Sequence, residues 1–278
     1  MQIVHGLAEH AGRYGRLAEA LNACGYAVYA GDLRGHGRTA AGPKELGLLA
    51  ERGGWRKCLD DLWRVNRRMA QDHPGVPAFL VGHSMGSTLA MQFISEHGEE
   101  LAGAALCGAS GKPTALASAG RLITRLERLR LGRRGKSKLV QSLSFDAFNK
   151  RFEPARTRFD WLSRDPAEVD KYVADPLCGF PASVQLWIDL LDGWTRAASA
   201  ESYRRIPKNL PIYFISGTHD PVSAGTLMLE LLLKEWRAAG LNVEHRFYPE
   251  ARHELFNETN REEVTRGLVE WLENAVRR

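Results

Sequence analysis

One pentapeptide constrains this chain more than any other stretch. Gly82-His83-Ser84-Met85-Gly86 follows the apolar run Ala78-Phe79-Leu80-Val81 and precedes the helix-forming Ser87-Thr88-Leu89-Ala90-Met91. A G-x-S-x-G string takes its meaning from that strand–turn–helix setting. A serine on so tight a turn is held in a strained backbone. Only small residues two before and two after it, Gly82 and Gly86, let the chains approach there. The helix that follows turns its positive end and free N–H groups toward a carbonyl meeting the serine. Ser84 is the candidate nucleophile, with His83 inside the elbow.

A serine hydroxyl needs a base, and the base needs an orienting carboxylate. In such a fold they follow in the order Ser, acid, His. The strand pattern at 212–216 ends in Gly217-Thr218-His219-Asp220-Pro221-Val222, and that at 243–248 ends in Pro249-Glu250-Ala251-Arg252-His253-Glu254. His219, Glu250 and Glu254 are rivals. Only Asp220 and His253 follow successive strands at loop positions equivalent to the serine's, so these two are expected to complete a triad. Two backbone N–H groups must hold the oxyanion. One is the amide of Met85; the other is expected from Leu7, in His5-Gly6-Leu7 after the first strand. Side-chain identity matters little at Leu7 and Met85, because the backbone donates.

The flanking pattern alternates short apolar runs with helical ones, the sign of an α/β fold with a mostly parallel, doubly wound sheet. Strands are expected at 2–5, 26–30, 78–81, 102–107, 212–216 and 243–248, several apolar throughout as befits strands covered on both faces. Helices are expected at 14–23, with Gly25 as stop, at 84–97 and at 262–276. The rhythm fails between 111 and 206, where prolines recur at 113, 154, 166, 176 and 181. That segment reads as a helical cap inserted into a core formed by 1–110 and 207–278. Trp161, Leu186, Trp187, Ile188 and Leu190 are candidates to line a substrate tunnel under it, packing of cap on core being the alternative for each.

The start of the insertion carries Arg121, Arg125, Arg128, Arg130, Arg133, Arg134, Lys136 and Lys138 against the single acid Glu127. That surplus of seven exceeds the +5 of the whole chain. Leu122, Leu126 and Leu129 recur there at helical spacing, so the segment is expected either to touch an anionic membrane surface transiently or to be a solvated face. The overall charge is too mild for a nucleic-acid partner. Four cysteines at 24, 58, 107 and 178 lack metal or redox spacing. No H-E-x-x-H or acid cluster points to a metal, and His36 is read as shaping its loop. Gly132 to Ser137 only superficially resembles a phosphate loop, because Arg130 stands where that motif needs glycine. No cofactor is called for. No apolar run approaches the ~20 residues of a membrane span, and Met1-Gln2-Ile3-Val4-His5 is not leader-like. The expected setting is the cytoplasm.

Several strings together resemble the monoacylglycerol lipase and lysophospholipase branch of the α/β-hydrolases, sometimes described as serine aminopeptidase-like. They are His5-Gly6-Leu7-Ala8-Glu9-His10-Ala11-Gly12-Arg13-Tyr14, Asp32-Leu33-Arg34-Gly35-His36-Gly37, the Gly82–Gly86 elbow, Thr218-His219-Asp220-Pro221-Val222 and Arg252-His253-Glu254. The likeness runs from residue 2 to about 275. It implies an α/β-hydrolase that cleaves carboxylic esters of single-chain acyl lipids, with Ser84, Asp220 and His253 as triad and the Leu7 and Met85 amides as oxyanion hole. Glu9, His10, Arg13 and Tyr14 are expected to buttress the oxyanion loop. Peptidase activity, or a non-catalytic binding role on the same fold, are the alternatives.

In that family two strands precede the His-Gly loop and cover the strand matching 26–30. This chain begins four residues before His5, so an open sheet edge is expected, and with it a true start upstream.

Overall fold

The structure is a computed structural model, and it describes residues 1–277. Its six strands, β1 (Gln2–Val4), β2 (Tyr29–Ala30), β3 (Phe79–His83), β4 (Gly103–Cys107), β5 (Ile212–Gly217) and β6 (Val243–Tyr248), form one sheet in the order β2-β1-β3-β4-β5-β6. Every pairing is parallel. The helices are α1 (Gly15–Ala23), α2 (Gly54–Asp72), α3 (Met85–His97), α4 (Ala115–Leu131), α5 (Lys138–Leu143), α6 (Phe145–Asn149), α7 (Pro166–Ala174), α8 (Val184–Ala197), α9 (Ala200–Tyr203), α10 (Leu227–Ala238) and α11 (Arg261–Val276).

Alternate residues of each strand serve opposite faces. Phe79, Val81, Ala105 and Cys107 pack with Leu17 and Leu21 of α1 and with Leu268 and Leu272 of α11. Leu80, Ala104, Leu106 and Phe214 pack on the other face with Leu59 of α2, Phe93 of α3 and Leu232 of α10. Each fully buried side chain of this size contributes about 1.5–3 kcal/mol. Double coverage explains why these strands read as unbroken apolar runs. Their C-terminal ends lie together: Val4 pairs with Gly82, His83 with Cys107, and Gly217 with Tyr248.

One expectation shrinks. The strand expected at 26–30 is only Tyr29–Ala30, because the Tyr26 amide donates to Leu21 O and Ala27 O accepts from the Met1 amine. This β2 is an edge of the sheet. On α11, Val264, Leu268 and Leu272 are buried, but Val276 is 51% exposed, beyond the last turn that meets the sheet. Between β4 and β5 the described residues contain helices and loops and no strand. No helix among the described residues is long and apolar enough to cross a membrane.

Candidate active site

Ser84 sits at φ 53, ψ −117, left-handed for a residue with a side chain. The turn is held open for it by its neighbours. A Cβ on Gly82 would lie 2.5 Å from Gly86 O, and one on Gly86 only 2.1 Å from Val4 O. The Ser84 amide donates to Cys107 O at 2.9 Å, tying the elbow to β4. Met85 then opens α3.

The loop after β1 is fixed from two sides. Leu33 N–H donates to His5 Nε2 at 2.9 Å, so the ring proton is on Nδ1 and is donated to Gly6 O at 2.8 Å. The Gly6 amide donates to Glu9 Oε1 at 2.5 Å. Glu9 Oε1 also accepts from Tyr14 Oη and His83 Nδ1, each at 2.9 Å, while its Oε2 accepts from Arg13. Arg13 also clasps Glu254, with Nη2 2.6 Å from Oε2. The expected buttress of Glu9, Arg13 and Tyr14 is thus in place around Gly6-Leu7. His10 turns elsewhere, to Asp175.

Burial alone would raise the Glu9 carboxyl, but the His83 hydrogen bond and the His83 and Arg13 charges hold it well below the usual range. Burial would likewise lower His83, yet its bond to Glu9 and the Glu9 charge leave it raised. His83 finds an acceptor at each ring nitrogen, Glu9 Oε1 and the His253 carbonyl at 3.3 Å, which suits an imidazolium. Glu9 and Glu254 are thus both met by Arg13, and Glu9 also by the His83 imidazole.

Asp220 and His253 come together at the ends of β5 and β6. Both are buried, and His253 Nδ1 lies 2.9 Å from Asp220 Oδ2. Asp220 Oδ1 accepts from Val222 N at 2.9 Å. With Nδ1 committed as donor to a carboxylate, Nε2 is left as the basic nitrogen. The rivals are placed otherwise: His219 is exposed, Glu250 has a 74% exposed side chain, and Glu254, though in the cavity wall, is bonded by Arg13.

Ser84, His253, Leu7 and Met85 share the wall of one cavity of about 320 Å³. Of the five candidates in the insertion, Trp161, Trp187 and Leu190 line it. Leu186 and Ile188 do not. They are buried on the other sides of α8, since helical spacing puts 187, 190, 191 and 194 on one face and turns 186 and 188 off it. Leu191 and Trp194 were signalled by that same spacing; Phe145 and Phe148, also in the wall, belong to the short α6, which had no clear period.

His10, Asp175 and Cys178 bring ligand-type atoms within 4.8 Å of one another. His10 Nδ1 accepts from Gly12 N, so Nε2 carries the proton it shares with Asp175 and offers no lone pair to a cation. His36, fully buried with burial pulling it down to about 3, is neutral and packs between His5 and Phe180, in keeping with a loop-shaping part.

Fold and site together define an α/β-hydrolase. A model of the family described as serine aminopeptidase, S33, matches residues 1–260. Monoglyceride lipase of Homo sapiens is 30% identical, the match covering 93% of this chain and 80% of the relative. Monoacylglycerol lipase of Mycolicibacterium smegmatis is 28% identical over 97% of this chain and 86% of the relative. Among solved structures, a thermostable carboxyl esterase from Bacillus coagulans in complex with glycerol superposes with TM-score 0.91 at 28% identity, covering 99% of this chain and 89% of that one. The chain belongs to this serine aminopeptidase S33 family, in its monoacylglycerol lipase-like branch, and is a carboxylic ester hydrolase.

Proposed function

We propose that the chain hydrolyses esters of single-chain acyl lipids, monoacylglycerols or lysophospholipids, through an acyl-enzyme on Ser84. The observation that carries this reading is the buried Asp220–His253 pair, whose histidine shares the wall of a largely apolar cavity with Ser84. His253 Nε2 takes the Ser84 proton as Oγ attacks the ester carbonyl. Asp220 fixes the tautomer and stabilises the imidazolium. The Leu7 and Met85 amides hold the oxyanion. His253 then protonates the departing alcohol and activates water against the acyl-enzyme. Residues 111–206 act as the cap, whose aromatic and aliphatic wall takes the acyl chain.

A peptidase of the aminopeptidase type needs an unpaired carboxylate for its substrate's ammonium. Glu9 and Glu254, the two acids of the cavity wall, are both bonded by Arg13. The glycerol bound by the Bacillus coagulans esterase likewise supports a neutral polyol end. A panel of mono-, di- and triacylglycerols, lysophospholipids and aminoacyl p-nitroanilides tests the assignment. The single-chain lipids are expected to exceed the diacyl ones in kcat/KM by at least about a hundredfold. Faster turnover of the anilides overturns it.

The basic segment also acts as a membrane contact, and apolar area drives it. On α4, Leu116 and Leu129 are each 81% exposed, Leu122 60% and Leu126 56%. The leucine stripe faces solvent, while Arg121 and the half-exposed Arg125 pair with Asp192 and Arg134 pairs with Glu45 and Glu51. Acids from elsewhere thus quench much of the local surplus. Leu116 and Leu143, both exposed, also line the cavity, so its mouth opens within this apolar face. Changing Leu122, Leu126 and Leu129 together to Glu should weaken vesicle binding about tenfold or more, whereas 0.5 M salt should weaken that of the parent only slightly (on the order of twofold). Vesicle binding indifferent to the leucines removes this contact.

A further inference from the structure

The cavity wall that touches His253 belongs to a strap of the inserted segment, Asp160 to Asp165, and one buried carboxylate joins that strap to the catalytic-histidine loop. Trp161 lies against the imidazole, ring centroids 5.1 Å apart and planes at 36°. The Glu254 amide donates to Leu162 O at 2.8 Å, and Ser163 Oγ donates to Asn257 O at 2.8 Å. Arg252 Nη1 reaches the carbonyls of Asp160 and Ser163, and its guanidinium sits 4.2 Å over the Phe152 ring. At the centre is Glu258, with no exposed surface. Its Oε1 accepts from Arg164 N at 3.0 Å and from Arg252 N at 2.9 Å. Its Oε2 accepts from Arg164 Nε and from Thr259 N, each at 2.9 Å. Two of those four donors come from the strap and one from the residue immediately before His253.

We propose that Glu258 is a positioning residue for the ester hydrolysis: it clamps the Arg252–His253 loop to the 160–165 strap and so fixes the imidazole relative to Ser84. This rests on His253 being the base, as assigned above. The carboxylate suits the task because each oxygen takes two N–H donors. A glutamine there sets its own NH₂ against two of them, whichever way its amide is turned. An imidazole displaced by an ångström or less loses rate while the acyl pocket still binds.

The test is Glu258→Gln, assayed well below its melting temperature on p-nitrophenyl acetate and on a long-chain monoacylglycerol, with fluorophosphonate labelling as a second readout. Expected are losses of about 10- to 100-fold in kcat on both esters and in labelling rate, with KM changed less than about threefold. Arg164→Ala removes only the Nε bond and keeps the three from the backbone N–H groups of residues 164, 252 and 259, so a smaller loss of about three- to tenfold is expected by the same readouts. It decides the matter where Glu258→Gln does not fold. A folded variant with unchanged kcat and labelling overturns the clamp, and so does a loss confined to the long-chain ester, which marks a role in shaping the acyl pocket alone. Failure of the underlying assignment is distinguishable, because the unaltered chain is then not labelled at Ser84.

Discussion

Ser84→Ala is expected to lower kcat on short p-nitrophenyl esters by at least about 10⁴-fold and to abolish fluorophosphonate labelling, with unchanged circular dichroism. The effect is this large because the serine provides the bond to the acyl group, and no other hydroxyl is held in the strained elbow between Gly82 and Gly86. The fold tolerates the change, since alanine keeps the Cβ and the backbone bond from residue 84 to Cys107 O is untouched. Turnover near the parent rate in the folded variant defeats the assignment.

Asp220→Asn should cost nearly as much, on the order of 10⁴-fold in kcat near pH 7. The substituted side chain keeps one oxygen for Val222 N and turns its NH₂ toward His253 Nδ1, replacing an acceptor by a donor. Nδ1 must then accept, the proton moves to Nε2, and the ring has no lone pair for the Ser84 hydroxyl. Parallel pH–rate profiles of variant and parent check this; a variant with the parent's kcat at neutral pH excludes Asp220 from the role.

Much of this was legible in the sequence because local rules and global fold agree. Apolar runs revealed β3, β4 and β5 since both sheet faces are covered there, whereas β6 is an edge strand reading Val-Glu-His-Arg-Phe-Tyr with His245 and Arg246 exposed. The Gly–Ser–Gly spacing marked the elbow because a Cβ at Gly82 or Gly86 collides with backbone. The α2 helix went unread although Trp55, Leu59, Leu62 and Met69 bury at helical spacing, because arginines and aspartates dominate its length. Leu186 and Leu190 were equivalent by composition; only the phase of α8 separates them. The partners of Glu258 in the strap lie 94 residues away, and nothing in composition or period brings such distant groups together.

With the imidazole mounted from two sides as proposed, substrate range and reactivity are not expected to be separable modules. A chimaera that trades 111–206 wholesale for a relative's insertion also removes Trp161, Leu162 and Arg164, and leaves the buried Glu258 with the Arg252 and Thr259 amides but without either Arg164 donor. On the proposed clamp, exchanges within 111–206 that spare turnover have their natural cut points on either side of that short stretch.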